Sequence, residues 1–96
     1  MVYYKKTDYK LLGYEKATRK RKMYNAILER KADKKIIRVA FGDNQMENYH
    51  DLTGLNLYPK LIHKDKERRR RFRIRSKGYV KEGYYSPGYF SYYILW

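Results

Sequence analysis

The sequence has no cysteine in its 96 residues. That excludes thiol nucleophiles, cysteine-ligated zinc and a disulfide framework, and it leaves the redox compartment open. Long apolar runs are missing as well. Nothing approaches the roughly 18 residues of a membrane span, and no apolar segment of signal-peptide length follows the first charges. Glycine patterns that cradle phosphates, a nucleophile-elbow serine and paired carboxylates in an apolar setting are absent too. Acidic residues are scarce, 10 against 24 Lys and Arg, so the formal net charge is +14. Leu, Ile, Val and Phe number only 20. That share is close to the roughly one-fifth below which a highly charged chain stays disordered.

What offsets the thin aliphatic supply is 13 Tyr, 3 Phe and 1 Trp. Each aromatic can bury on the order of 150–250 Å², and Tyr and Trp keep a polar handle while doing so. A compact fold must therefore be built on tyrosine. The length fits one domain at most, small enough that support from a partner is expected.

Charge is distributed in blocks. Residues 1–41 carry 13 basic and 4 acidic residues, 42–58 only 3 acidic, 59–77 10 basic and 2 acidic, and 78–96 one of each. Two cationic segments flanking an acidic one suit contact with anionic surfaces through more than one element. Residues 1–22 show neither helical nor strand periodicity and are read as an extended basic arm with at most a turn near Gly13. Met23–Glu29 and Lys35–Phe41 are β-leaning runs joined by a polar stretch, which predicts a hairpin. Period-two alternation places Tyr24, Ala26 and Leu28 on one face, with Ile37, Val39 and Phe41 on the matching face of the second strand. Residues 45–59 read as a loop with a short helical piece. His63–Arg75 reads as a helix with Asp65 as N-cap, Glu67 at its positive end and Gly78 as its stop. Ser86 as N-cap and Pro87 at the first helical position predict a final aromatic helical turn that docks. The expected fold class is a small single α+β domain: hairpin, Arg-rich helix and aromatic C-terminal turn over 23–96, with the basic arm over 1–22.

The combination of Phe41-Gly42, His63-Lys64-Asp65, Arg68-Arg69 with Phe72-Arg73 and Arg75, Ser86-Pro87-Gly88-Tyr89-Phe90-Ser91 and Leu95-Trp96 resembles a family of small basic proteins encoded by large double-stranded DNA viruses. The resemblance covers roughly residues 23–96. It implies a small virion-associated or genome-associated protein with no established enzymatic activity. The chain departs from the pattern at Arg75-Ser76, where a His often follows the arginines, and this weakens any metal or catalytic use of the region.

Six arginines in the eight positions Arg68 to Arg75 exceed what Asp43, Glu47 and Asp51 can neutralise. Arg68, Arg69, Arg70, Arg71, Arg73 and Arg75 are therefore expected to bind phosphate or an acidic partner. Arg19, Lys20, Arg21 and Lys22 form a second such cluster, which reads equally as a nuclear-localisation patch or a nucleic-acid contact. Tyr89, Phe90, Tyr92, Tyr93, Leu95 and Trp96 are expected to serve as core or as a protein interface, with base stacking the less favoured use. His63 with Asp65 and His50 with Asp51 offer too few ligands for a metal, so no metal, cofactor, catalytic residue or small-molecule substrate is expected. The function expected is a non-enzymatic minor virion structural protein. Its partners would be major or minor capsid proteins and packaged DNA, and its localisation the virion. The alternative is a sequence-nonspecific nucleic-acid-binding protein.

Overall fold

A computed structural model describes residues 3–96 of the chain. The predicted hairpin is present as β3 (Tyr24–Arg30) and β4 (Ile36–Phe41), antiparallel and in register from Tyr24 opposite Phe41 to Glu29 opposite Ile36. Its inward face carries the expected side chains. Tyr24, Ala26, Leu28 and Phe41 are fully buried, and Val39 is nearly so.

The N-terminal segment departs from expectation. Residues 1 and 2 of the anticipated arm lie outside the described residues, but Tyr4–Lys5 forms β1 and Tyr9–Lys16 forms β2. Strand β2 lies along β3 from Tyr9 opposite Arg30 to Lys16 opposite Tyr24, so the three-stranded sheet has the order β2-β3-β4. The reading as an unpaired extended arm is thereby corrected. A β-bulge hides this strand from a periodicity scan. Leu11 faces Leu28 and Gly13 faces Ile27, leaving Leu12 without a partner. The extra residue shifts the phase of alternation, so Tyr9 and Leu11 before it and Tyr14 after it all pack on the core. On the opposite face, Glu15 accepts hydrogen bonds from Asn25 and from Arg38 Nε, both at 2.8 Å. These donors hold the Glu15 carboxyl below its ordinary range.

Residues 42–64 cross the end of the sheet as irregular chain with a 3₁₀ turn at Pro59–Leu61. Tyr24 anchors them: its buried hydroxyl donates to Asp51 and accepts from the Leu57 N–H at 3.0 Å. Burial, reinforced by Asp51, pushes this phenol to about 12, so it remains a donor. Helix α1 (Lys66–Ser76) begins where expected, with Asp65 accepting from the Glu67 and Arg68 N–H groups. It does not stop on a left-handed Gly78 but tightens into a 3₁₀ turn over Lys77–Tyr79.

A two-residue strand, β5 (Tyr84–Tyr85), pairs with β1. Ser86 then caps α2 (Pro87–Phe90), accepting from the Tyr89 N–H, and the chain continues as a π-helical turn over Ser91–Leu95. This segment lies on the core face of the three-stranded sheet and completes it. Phe90 and Leu95 are fully buried and Trp96 is 8% exposed. The ring of Phe90 packs 5.3 Å from Phe41 and stacks on Tyr85 at 5.6 Å. The architecture is a small α+β domain of two antiparallel sheets and two helices whose interior is largely aromatic. Among the described residues no helix is long and apolar enough to cross a membrane.

Candidate functional site

The arginine helix divides its charge by face. At positions 69 and 73, one turn apart, both Nε groups donate to the Trp96 main-chain oxygen, at 2.7 and 3.1 Å. Their guanidinium planes lie over Tyr49 and Tyr92, at 4.8 and 4.6 Å from the ring centroids. Between them, Phe72 stacks on Trp96 at 4.3 Å and 8°. Arg69 and Arg73 are thus internal clamps that hold the aromatic segment, each combining a charge-assisted hydrogen bond with a cation–π contact. Arg70 points outward and pairs with Glu67 at 2.8 Å, an i,i+3 pair on the exposed face. Arg68 meets Glu47 at 3.2 Å. Of the three acids expected to offset the cluster, only Glu47 does so: Asp43 accepts from the Gln45 N–H, and Asp51 from Tyr24 and Thr53.

Arg71 and Arg75 remain, with no carboxylate within ion-pair distance among the described residues. With Arg68 they follow the i, i+3, i+7 spacing of one helical face. That face forms a wall of a groove of about 640 Å³, floored by Phe72, Trp96 and Gly88 and reached from the other side by Lys22. Lys22 comes from the β2–β3 loop, which is tied down where the Asn44 N–H donates to the Arg21 carbonyl at 3.0 Å. The fold therefore brings Lys22 of the first basic cluster together with Arg68, Arg71 and Arg75 of the second in one recess. Arg19, Lys20 and Arg21 are exposed on the loop and do not line it. Asp43 and Glu47 are also in the lining and give the groove one acidic side.

The residues anticipated as a protein interface divide as well. Phe90, Leu95 and Trp96 are consumed by the chain's own core, the first of the two uses expected of them, and this corrects only the alternative in which they anchor a partner. Tyr89 and Tyr92 are half-buried, and Tyr93 stays open at 44% exposure. A second, smaller recess lies beside them, lined by Lys6, Lys77 and Lys81, none of which stood out in the sequence because the three are dispersed.

His50 and His63 have structural surroundings. His63 Nδ1 accepts from the Asp65 N–H at 2.8 Å and braces the start of α1, and its ring lies 5.1 Å from Trp96. The Nε2 atoms of both histidines are buried without a hydrogen-bond partner. Burial first, then the charges of Arg69 and Arg73, holds His50 below its ordinary value; burial and then Arg68 does the same for His63. A lowered folded-state value means the folded protein binds fewer protons than the unfolded chain. Stability is then complete above the unfolded value and lost as pH falls beneath it. The urea midpoint is expected to decline from about pH 7 to about pH 5. Replacing both histidines by Gln should flatten that decline; a profile of unchanged steepness in the double variant would refute the assignment.

No protein-family model matches the chain, and no match was found among curated proteins or solved structures.

Proposed function

We propose that this is a non-enzymatic, sequence-nonspecific nucleic-acid-binding protein that receives the phosphate backbone on Lys22, Arg71 and Arg75. The observation that carries the reading is the convergence of two sequence-distant basic clusters on one groove, where Lys22, Arg71 and Arg75 make no ion pair with any carboxylate of the described residues. A surplus of +14 makes release of condensed counterions the main driving term for binding a polyanion. Arginine adds a planar fork that matches phosphate oxygens. Contacts of this kind are made to the backbone and carry no sequence information directly.

The test is a salt series with the Lys22→Gln/Arg71→Gln/Arg75→Gln variant on a labelled duplex, read by anisotropy. Affinity at low salt should fall more than about tenfold, and the slope of log K against log salt should flatten by about 0.9 for each phosphate contact removed. Trp96, the chain's one tryptophan, lines the groove and supplies a second signal, since its emission should change on binding in the wild type. An unaltered slope in the variant would overturn the reading.

A virion role, bridging packaged DNA and capsid proteins, is a second reading. It is supported by the viral motif resemblance and by Met46, Leu52, Leu55 and Leu57, apolar side chains left 39–62% exposed in the acidic segment. A groove variant that loses DNA yet still enters particles would favour that reading over the first.

A further inference from the structure

The helical segment after Ser86 separates two recesses. Pro87, Gly88 and Ser91 face the arginine groove, whereas Tyr89, Tyr92 and Tyr93 line the cleft of about 460 Å³ on its other side. Three lysines share that cleft with them: Lys6, Lys77 and Lys81. No carboxylate of the described residues pairs with any of the three, although Glu82 is part of the lining. Two of the ammonium groups are held over aromatic rings instead, Lys6 at 4.2 Å from the Tyr89 centroid and Lys81 at 4.6 Å from that of Tyr84. Such contacts position a lysine without neutralising it, so its charge stays available to an anion. The β1–β5 pairing fixes the arrangement, because the Lys6 N–H donates to the Gly83 carbonyl at 2.9 Å.

We propose that this tyrosine–lysine cleft is a single-strand subsite, in which an unpaired base stacks on Tyr93 while flanking phosphates meet Lys6, Lys77 and Lys81. The proposal rests on the nucleic-acid reading above and deepens it. A groove of cations alone accepts any polyanion, duplex included. Exposed aromatic surface interleaved with lysine adds a term that only an unpaired base can satisfy, because a base within a duplex already has both faces stacked. Tyr93 is the open member of the tyrosine group, packed 4.9 Å from both Tyr89 and Tyr92 and so held in place without being covered. The two recesses are also linked along the chain: Arg75 lines the groove and Lys77 the cleft, two residues apart at the end of α1. A strand lying in one recess thus has phosphate-binding charge leading into the other. Stacking of this kind is tolerant of sequence, in keeping with a backbone-directed protein.

The experiment compares Tyr93→Ala and Tyr93→Phe with wild type on three probes: a short oligothymidylate, an oligouridylate of the same length, and a duplex. Tyr93→Ala should weaken binding to the single strands roughly 5- to 150-fold and leave the duplex unchanged, while Tyr93→Phe, which keeps the ring, should bind like wild type. An unchanged circular-dichroism melt would show that the fold survives the substitution. The ratio between the two single strands reports whether deoxyribose or ribose is the preferred source. Tyr93→Ala binding the single strands as tightly as wild type would overturn the proposal, and so would an equal loss on single strand and duplex. Failure of the wider reading is distinguishable, because it appears as an unaltered salt slope in the Lys22, Arg71 and Arg75 variant whatever Tyr93 does.

Discussion

Removing residues 90–96 is expected to abolish the cooperative unfolding transition of the whole protein. The segment ends an interior otherwise made by the sheet, and it contributes Phe90, Leu95 and Trp96, all of them in the buried core. Large-to-small changes at such sites cost about 3–5 kcal/mol for Phe or Trp and about 2–5 kcal/mol for Leu, so the three together approach roughly 8–15 kcal/mol. A domain of this length holds only about 5–14 kcal/mol in total. The loss reaches further than the deleted atoms. Phe41 would lose the ring packed 5.3 Å away, Phe72 its stacking partner, and Arg69 and Arg73 the oxygen they share. Far-UV circular dichroism in urea should show a broad, non-sigmoidal loss of signal. The single change Phe90→Ala, costing about 3–5 kcal/mol, should shift the midpoint strongly while keeping one transition. A truncated chain that melted as sharply as the full one would mean that the sheet and α1 are sufficient alone.

Half of this arrangement was legible in the sequence. Tyr24, Ala26 and Leu28 alternate without interruption, so the hairpin and its inward face could be read from period two. Asp65 and Ser86-Pro87 are local capping signals that need no tertiary knowledge, and both helices start where those residues place them. Strand β2 was hidden because the bulge at Leu12 breaks the alternation on which strands are recognised. The aromatic end was ambiguous for a different reason: an uncharged run of Tyr, Phe and Trp has the same composition whether it covers a partner or its own sheet. That ambiguity carried over to the arginines. Which of them clamp and which stay free depends on where Trp96 comes to rest, so Arg69 and Arg73 looked identical to Arg71 and Arg75 until the docked segment divided them.

Gly42→Ala is expected to destabilise the protein by roughly 2–5 kcal/mol, far more than a methyl group on the surface would. Two causes act together. Gly42 adopts φ +77°, where a Cβ crowds the following carbonyl. In addition, a Cβ there would come within 2.9 Å of Leu95 Cδ1 and 3.1 Å of Met23 Cβ, both in fully buried side chains. Gly54 provides the control: its φ of +84° is similar, but nothing lies within 4 Å of the added atom. Gly54→Ala should therefore show the backbone term alone, about 1–2 kcal/mol, and the difference between the two urea midpoints isolates the packing term. Equal losses at the two positions would show that Leu95 and Met23 yield freely. Because Gly42 also lines the arginine groove, its substitution should narrow the recess as well.

The position of the aromatic segment also fixes when the protein can fold during its synthesis. The β3–β4 hairpin closes a connection of only five residues and can form as soon as Phe41 has been made. Its inward face, however, is covered by side chains from residues 90–96, about fifty positions later, and the β1–β5 pair joins Tyr4 to Tyr85. Contacts between such distant stretches incur their loop-closure entropy before any burial repays it. Until residue 96 has emerged from the ribosome, the nascent chain resembles the truncated variant: a half-formed sheet with Tyr24, Leu28 and Phe41 open to water. Throughout that interval the growing chain stays net positive, +9 at residue 41, +6 at residue 58 and +14 from residue 77, so self-repulsion holds it in solution, and the order that arrives with Trp96 comes in a single late step.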